Sequence, residues 1–277
     1  MVRQDAGVNV PGSSLPFSAG QREQRSGARE VTVVAALLAG AVLLALGSSM
    51  TAVAAVLVLA VLLLLARRSG CDAAMDAVVM TTLLYSAVAI ELFGLWPLPG
   101  VVAVLAACWL ASRSGRGALW RSWFRCGRVT RELPWLMVAT IAVTAAALVA
   151  WQRLFDGRLP PEYVKAAAGR PFWLLALGGA AFSLVNAAVE EAIFRGVLQT
   201  ALERVSGPVI AVVVQALAFG LLHVVGVPTG IIGSIMAGTW GLLLGVMRWR
   251  TRGVLAPYLA HIAADVTIFC MLLPTLR

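Results

Sequence analysis

Lysine and histidine are nearly missing from this chain of 277 residues: Lys165 is the single lysine among 22 basic residues, and His223 and His261 are the only histidines. Charge is scarce altogether, at 13% against the roughly 25% of soluble domains, while 60% of residues are apolar and the mean hydropathy is +0.89. A water-soluble fold is excluded on that count, because there is too little polar surface to cover it. Cysteine is sparse as well. Cys71, Cys108, Cys126 and Cys270 show neither a CxxC pair nor metal-ligand spacing, which rules out a disulfide framework and a thiolate metal centre. Acidic residues number 13. In a soluble protein such a deficit would point to nucleic acid, but here the arginines lie between hydrophobic runs and set topology instead. Neither an internal repeat nor a signal-peptide cleavage pattern is found.

What the chain does have is long apolar runs. Stretches near the ~20 residues needed to cross ~30 Å of hydrocarbon fall at 31–48, 50–66, 76–96, 98–112, 134–151, 172–198, 208–225, 229–247 and 254–273. The short run at 98–112 and the tight Gly47-Ser48-Ser49 connection make the count eight or nine. The expected fold is an all-α, polytopic transmembrane helical bundle of about 8–9 spans. Residues 1–29, rich in Gly, Ser, Gln and Arg, read as a disordered cytoplasmic tail. Residues 30–171 read as N-terminal transmembrane helices with a basic interfacial helix near 117–133, where Trp120, Trp123 and Phe124 stand against Arg121, Arg125 and Arg128 at helical spacing. Placing the N-terminus in the cytoplasm gathers 17 of the 22 basic residues on that side, leaving Arg153, Arg158, Lys165, Arg170 and Arg277 outside. With the arginine- and alanine-rich composition, this predicts an integral protein of a bacterial plasma membrane. Its partners are the lipid bilayer and no nucleic acid; oligomeric state leaves no signature.

Against that background a few polar residues stand out. A charge at the centre of a transmembrane helix costs about 2.5–3.5 kcal/mol on insertion scales, so Glu190, Glu191 and Arg195 need partners. Glu191 and Arg195 are four apart with the acid first, the favourable order for an intrahelical ion pair, which leaves Glu190 over. Both histidines fall within late apolar runs, and His261 shares a helix face with Asp265. Glu190 and His223 lie 16 residues from the turn at Ser206-Gly207-Pro208, on opposite sides of it and so each ~24 Å along its helix. Glu190, His223, His261 and Asp265 can therefore converge between three helices, lined by Asn186 and Ser183, with Phe194 and Phe219 shaping the pocket.

In this order EExxxR (Glu190, Glu191, Arg195), FxxxH (Phe219, His223) and HxxxD (His261, Asp265) resemble the signature of the CAAX prenyl protease and bacteriocin-processing family, CPBP or Abi. The resemblance covers about residues 172–273 and implies that the C-terminal four spans form the catalytic core of an intramembrane endopeptidase, acting on a membrane-associated peptide or protein. It implies a catalytic set of Glu190, Glu191, His223, His261 and Asp265, with Arg195 as structural ion-pair partner. Glu190 serves as general base with His223 beside it, and His261 donates to the oxyanion. Asp265 stands where asparagine could donate a hydrogen bond, so it either carries a proton or orients His261. Glu190, His223 and His261 are also a His₂Glu set of the kind that holds catalytic zinc, although no HExxH spacing exists. Metal-free glutamate chemistry is the preferred expectation. Rival readings are a non-catalytic bacteriocin-immunity or peptide-binding membrane protein, and a proton-coupled transporter; the latter calls for paired broken helices, which the sequence lacks.

Overall fold

A computed structural model describes residues 27, 33–35, 49–89, 96–115, 121–128, 130–155, 164, 165 and 167–273. Among these residues every regular element is helical. The order is α1 (Ser49–Ser69), α2 (Asp72–Ala89), α3 (Leu98–Arg113), α4 (Leu133–Phe155), α5 (Phe172–Glu190), a π-helical segment (Glu191–Leu198), α6 (Gln199–Leu222), α7 (Gly230–Thr251) and α8 (Leu255–Leu272). The all-α bundle read from the apolar runs is the fold. The tail and most of the run at 31–48 lie outside the described residues.

Four helical stretches are long and apolar enough to cross a bilayer: Asp72–Ala89, Leu133–Phe155, Phe172–Leu222 and Gly230–Thr251. Large side chains point outward along them, among them Val138, Val143, Leu177, Leu217, Ile231 and Ile235. In water this surface would aggregate; in hydrocarbon it is the natural exterior, with backbone polar groups satisfied inside each helix. The chain is an integral membrane protein.

The helical stretch Phe172–Leu222 holds the runs expected as separate spans, 172–198 and 208–225, as two limbs. It reverses inside α6 at Gly207, whose φ of 78° and ψ of 172° are non-helical and suit glycine, and Pro208 then opens the second limb. The reversal shows in the contacts. Gln199 and Gln215 lie on opposite sides of Gly207, yet their Nε2 atoms donate to Gly245 O (3.1 Å) and Gly241 O (2.8 Å) on one face of α7. A straight helix would separate them by about 24 Å.

The α6–α7 contact is close because small residues line it. A Cβ on Gly220 would come within 2.7 Å of Ser234 O and 3.0 Å of Gly238 Cα, and one on Gly241 within 3.3 Å of Ala216 Cα. Bared carbonyls on this glycine face then accept the buried amides. α7 ends where Arg252 adopts the left-handed conformation (φ 57°, ψ 33°), and α8 begins within three residues.

The expected interfacial helix over 117–133 is not continuous. Helix is confined to residues 121–123 among those described, and the backbone from Arg125 to Arg128 is irregular. Competing bonds explain this: Arg128 N donates to Thr251 O (2.7 Å), Val254 N to Arg125 O (2.8 Å) and Leu255 N to Cys126 O (3.3 Å). Gly127 (φ 91°) and Gly253 approach so closely that neither has room for a side chain. The segment is thereby pinned to the α7–α8 turn.

Candidate active site

Glu190 closes α5 and Glu191 opens the π-helical segment, whose eight residues are all buried. Such wide turns inside helices cluster at functional sites. Glu191 pairs with Arg195, Oε1 to Nη1 at 2.9 Å, as the i, i+4 spacing indicates. Arg195 is completely buried; its guanidinium also lies 4.7 Å from the ring of Phe219, with Nη2 3.5 Å from Gly241 O. Buried in this way, Arg195 is an internal counter-charge and adds nothing to the basic asymmetry of the loops.

Glu191 has a second partner. Its Oε1 accepts from Nδ1 of His261 at 2.7 Å, which orients the imidazole and leaves Nε2 facing outward from that pair. Nε2 lies 3.5 Å from Glu190 Oε2 and 3.8 Å from Asp265 Oδ1. His261 is thus set among three carboxyl groups, and Glu191 does more than neutralise its helical neighbour.

Asp265 is held from the other side. Asn186 Nδ2 donates to Asp265 Oδ2 at 2.9 Å, and Trp96 Nε1 donates to Asn186 Oδ1 at 2.5 Å. Indole N–H can only donate, so it fixes which end of the Asn186 amide meets the aspartate, and Asp265 Oδ2 must accept. Ser183 is buried, but its hydroxyl donates to Gly179 O of its own helix at 2.8 Å.

His223 caps the C-terminal end of α6 and is half-buried. Its Nδ1 bonds Phe219 O at 2.9 Å; a carbonyl only accepts, so the proton is on Nδ1 and a neutral ring keeps a lone pair on Nε2. Among the described residues no hydrogen bond or ion pair joins His223 to Glu190. The imidazole in contact with that carboxylate is His261, at 3.5 Å, while His223 lies against Phe219. Phe219 lies against both histidines, with ring centroids 4.6 Å from His223 and 6.2 Å from His261, and Phe194 meets it edge-on at 5.0 Å.

Of the three residues expected as possible zinc ligands, Glu190 and His261 are in contact at 3.5 Å. Among the described residues no group of three His, Cys, Asp or Glu side chains is placed to hold a metal ion. Nδ1 of each histidine is already engaged, one by Glu191 and the other by a backbone carbonyl.

Four contributors escaped the motif reading: Trp96, Trp240, Gln199 and Gln215. Trp240 stands edge-on to His261 at 6.5 Å. Gln199 and Gln215 were recoverable, since uncharged polar side chains in an apolar run invite the same question as charged ones. Trp96 lies before α3, outside the motif-bearing region, and nothing local marks it.

Residues 171–267 match the family model for type II CAAX prenyl endopeptidase Rce1-like proteins. No curated protein and no solved structure matches the chain. Every residue of the three motifs falls inside the matched segment, and over residues 171–267 the chain is similar to Rce1-like endopeptidases, in agreement with the CPBP signature.

Proposed function

We propose that the protein is an intramembrane endopeptidase that hydrolyses a peptide bond of a membrane-associated protein or peptide, with Glu190 as general base. The observation that carries this reading is the Glu190–His261 contact at 3.5 Å, backed by the 2.7 Å bond from His261 to Glu191. One glutamate is tied down as an orienting partner and its neighbour is left with a free carboxylate edge. Glu190 takes a proton from water as the water oxygen adds to the peptide carbonyl carbon. His223, through the Nε2 lone pair, accepts the second water proton as a hydrogen bond. His261, as an imidazolium set among three carboxyl groups, keeps Nδ1–H on Glu191 and donates Nε2–H to the oxyanion. When the C–N bond breaks, the proton on Glu190 passes to the leaving nitrogen, so acid and amine are released in balance. Asp265 acts as an acceptor that orients His261, in keeping with its bond from Asn186.

The protein is further proposed to lie in a bacterial plasma membrane with its N-terminus in the cytoplasm. The arginines at the ends of α1, α3 and α7 and in the 121–131 segment support this, since an N-terminus in the cytoplasm gathers them on the side where basic residues are enriched. Cleavage of a fluorogenic peptide by detergent-solubilised protein tests the activity. It should vanish in Glu190→Ala and His223→Ala and persist in Arg68→Ala, whose side chain is exposed far from the site. Peptide binding without cleavage in the unmodified chain would favour an immunity or binding role instead.

A further inference from the structure

A second polar feature is unrelated to the glutamates. A cavity of about 360 Å³ opens where the 121–128 segment, the first turns of α6 and the α7–α8 turn meet, and four arginines line it: Arg125, Arg204, Arg248 and Arg252. Arg248 is committed internally, pairing with Glu203 and donating from Nη2 to Thr200 Oγ1 at 2.6 Å. Arg125, Arg204 and Arg252 are exposed and have no carboxylate partner among the described residues. Glu203, the one acid in the lining, is already shared by Arg248 and Gln199. Three unpaired guanidiniums drawn from three separate segments thus face one space, a placement that costs repulsion unless an anion fills it.

Depth in the membrane identifies the anion. The cavity lies at the basic end of α7, beside Trp249, which is 43% exposed and therefore sits as an interfacial anchor. Guanidinium forks match phosphate oxygens bidentately, and at headgroup level the abundant phosphate belongs to lipid. We infer that this cavity binds the phosphate group of an anionic lipid headgroup. The backbone bonds that pin residues 125–128 to residues 251–255 hold its walls before any lipid arrives.

The test uses the full-length chain in detergent, titrated with short-chain phosphatidylglycerol while tryptophan fluorescence is followed. Saturable binding is expected, with phosphatidylcholine of the same chain length at least tenfold weaker. The double variant Arg125→Gln/Arg204→Gln should bind about 25-fold more weakly, at about 1 kcal/mol per arginine near a surface. The control pair Arg67→Gln/Arg68→Gln, which removes the same charge elsewhere on that side, should bind as the unmodified chain does. Equal losses in the two double variants would reduce the effect to general surface charge and overturn the site, as would equal binding of the two lipids. Displacement by inorganic phosphate at matched affinity would also overturn the lipid assignment, giving the cavity to a soluble anion. Both altered arginines are exposed, and an unchanged melting temperature verifies that each variant is folded.

Discussion

Two neighbouring glutamates should respond to the same substitution in opposite ways. Glu191→Gln removes the charge facing Arg195 at 2.9 Å and His261 at 2.7 Å, and leaves a completely buried guanidinium uncompensated. Breaking a buried pair from one side costs roughly 3–5 kcal/mol. For a domain of this size that corresponds to a fall in melting temperature of roughly 6–20 °C, at about 2–4 °C per kcal/mol. Activity falls as well, because His261 loses the acceptor that orients its ring through Nδ1–H. Glu190→Gln leaves the Glu191–Arg195 pair intact and removes a buried carboxylate that has no arginine partner, so the melting temperature should stay within about 2 °C while hydrolysis drops at least ~10²–10⁴-fold, the usual contribution of a general base. Melting followed through the nine tryptophans, alongside peptide cleavage, reads both properties on one preparation. Equal melting temperatures for the two variants, or a stability loss confined to Glu190→Gln, would refute the division of labour between the two carboxylates.

Trp96→Phe removes the donor that fixes the Asn186 amide, so kcat should fall about tenfold with KM little changed; a wild-type kcat would show that the indole does not govern Asp265. Gly220→Ala forces a Cβ against Ser234 O and Gly238 Cα and should lower stability by about 1–3 kcal/mol, measured by thermal melting, whereas Gly178→Ala, with open space around it, should not. Peptide hydrolysis is expected to withstand 1,10-phenanthroline and EDTA, because Glu190 is proposed to activate water without a metal; chelator-sensitive activity restored by zinc would reverse that expectation.

The membrane class and the helical order were legible because long apolar runs carry their meaning locally, and the motif residues stood out because burying charge in lipid is costly. The pairing among those residues was not legible. Counting along the chain put Glu190 and His223 at one depth, but helical rise says nothing of azimuth, and the ring of Phe219 packs against both imidazoles. Glu191 could be matched to Arg195 from spacing alone, whereas its bond to His261 spans 70 residues and depends on how α8 packs on α5. Residues 125–128 of the basic segment depart from the expected helix for a similar reason: the periodicity is amphipathic, yet the backbone bonds offered by residues 251–255 come from outside the window any local pattern can sample.

The π-helical stretch at Glu191–Leu198 carries a consequence for how this protein can vary. A wide turn holds more residues per revolution than an α-turn, so removing one residue between Glu191 and Arg195 would let the stretch relax to α geometry with Gln199 and Glu203 near their present azimuth. The amide clamp on the α7 glycine face would survive, while the spacing of the Glu191–Arg195 pair would not. A shortened segment would thus be felt at the buried ion pair before it was felt downstream.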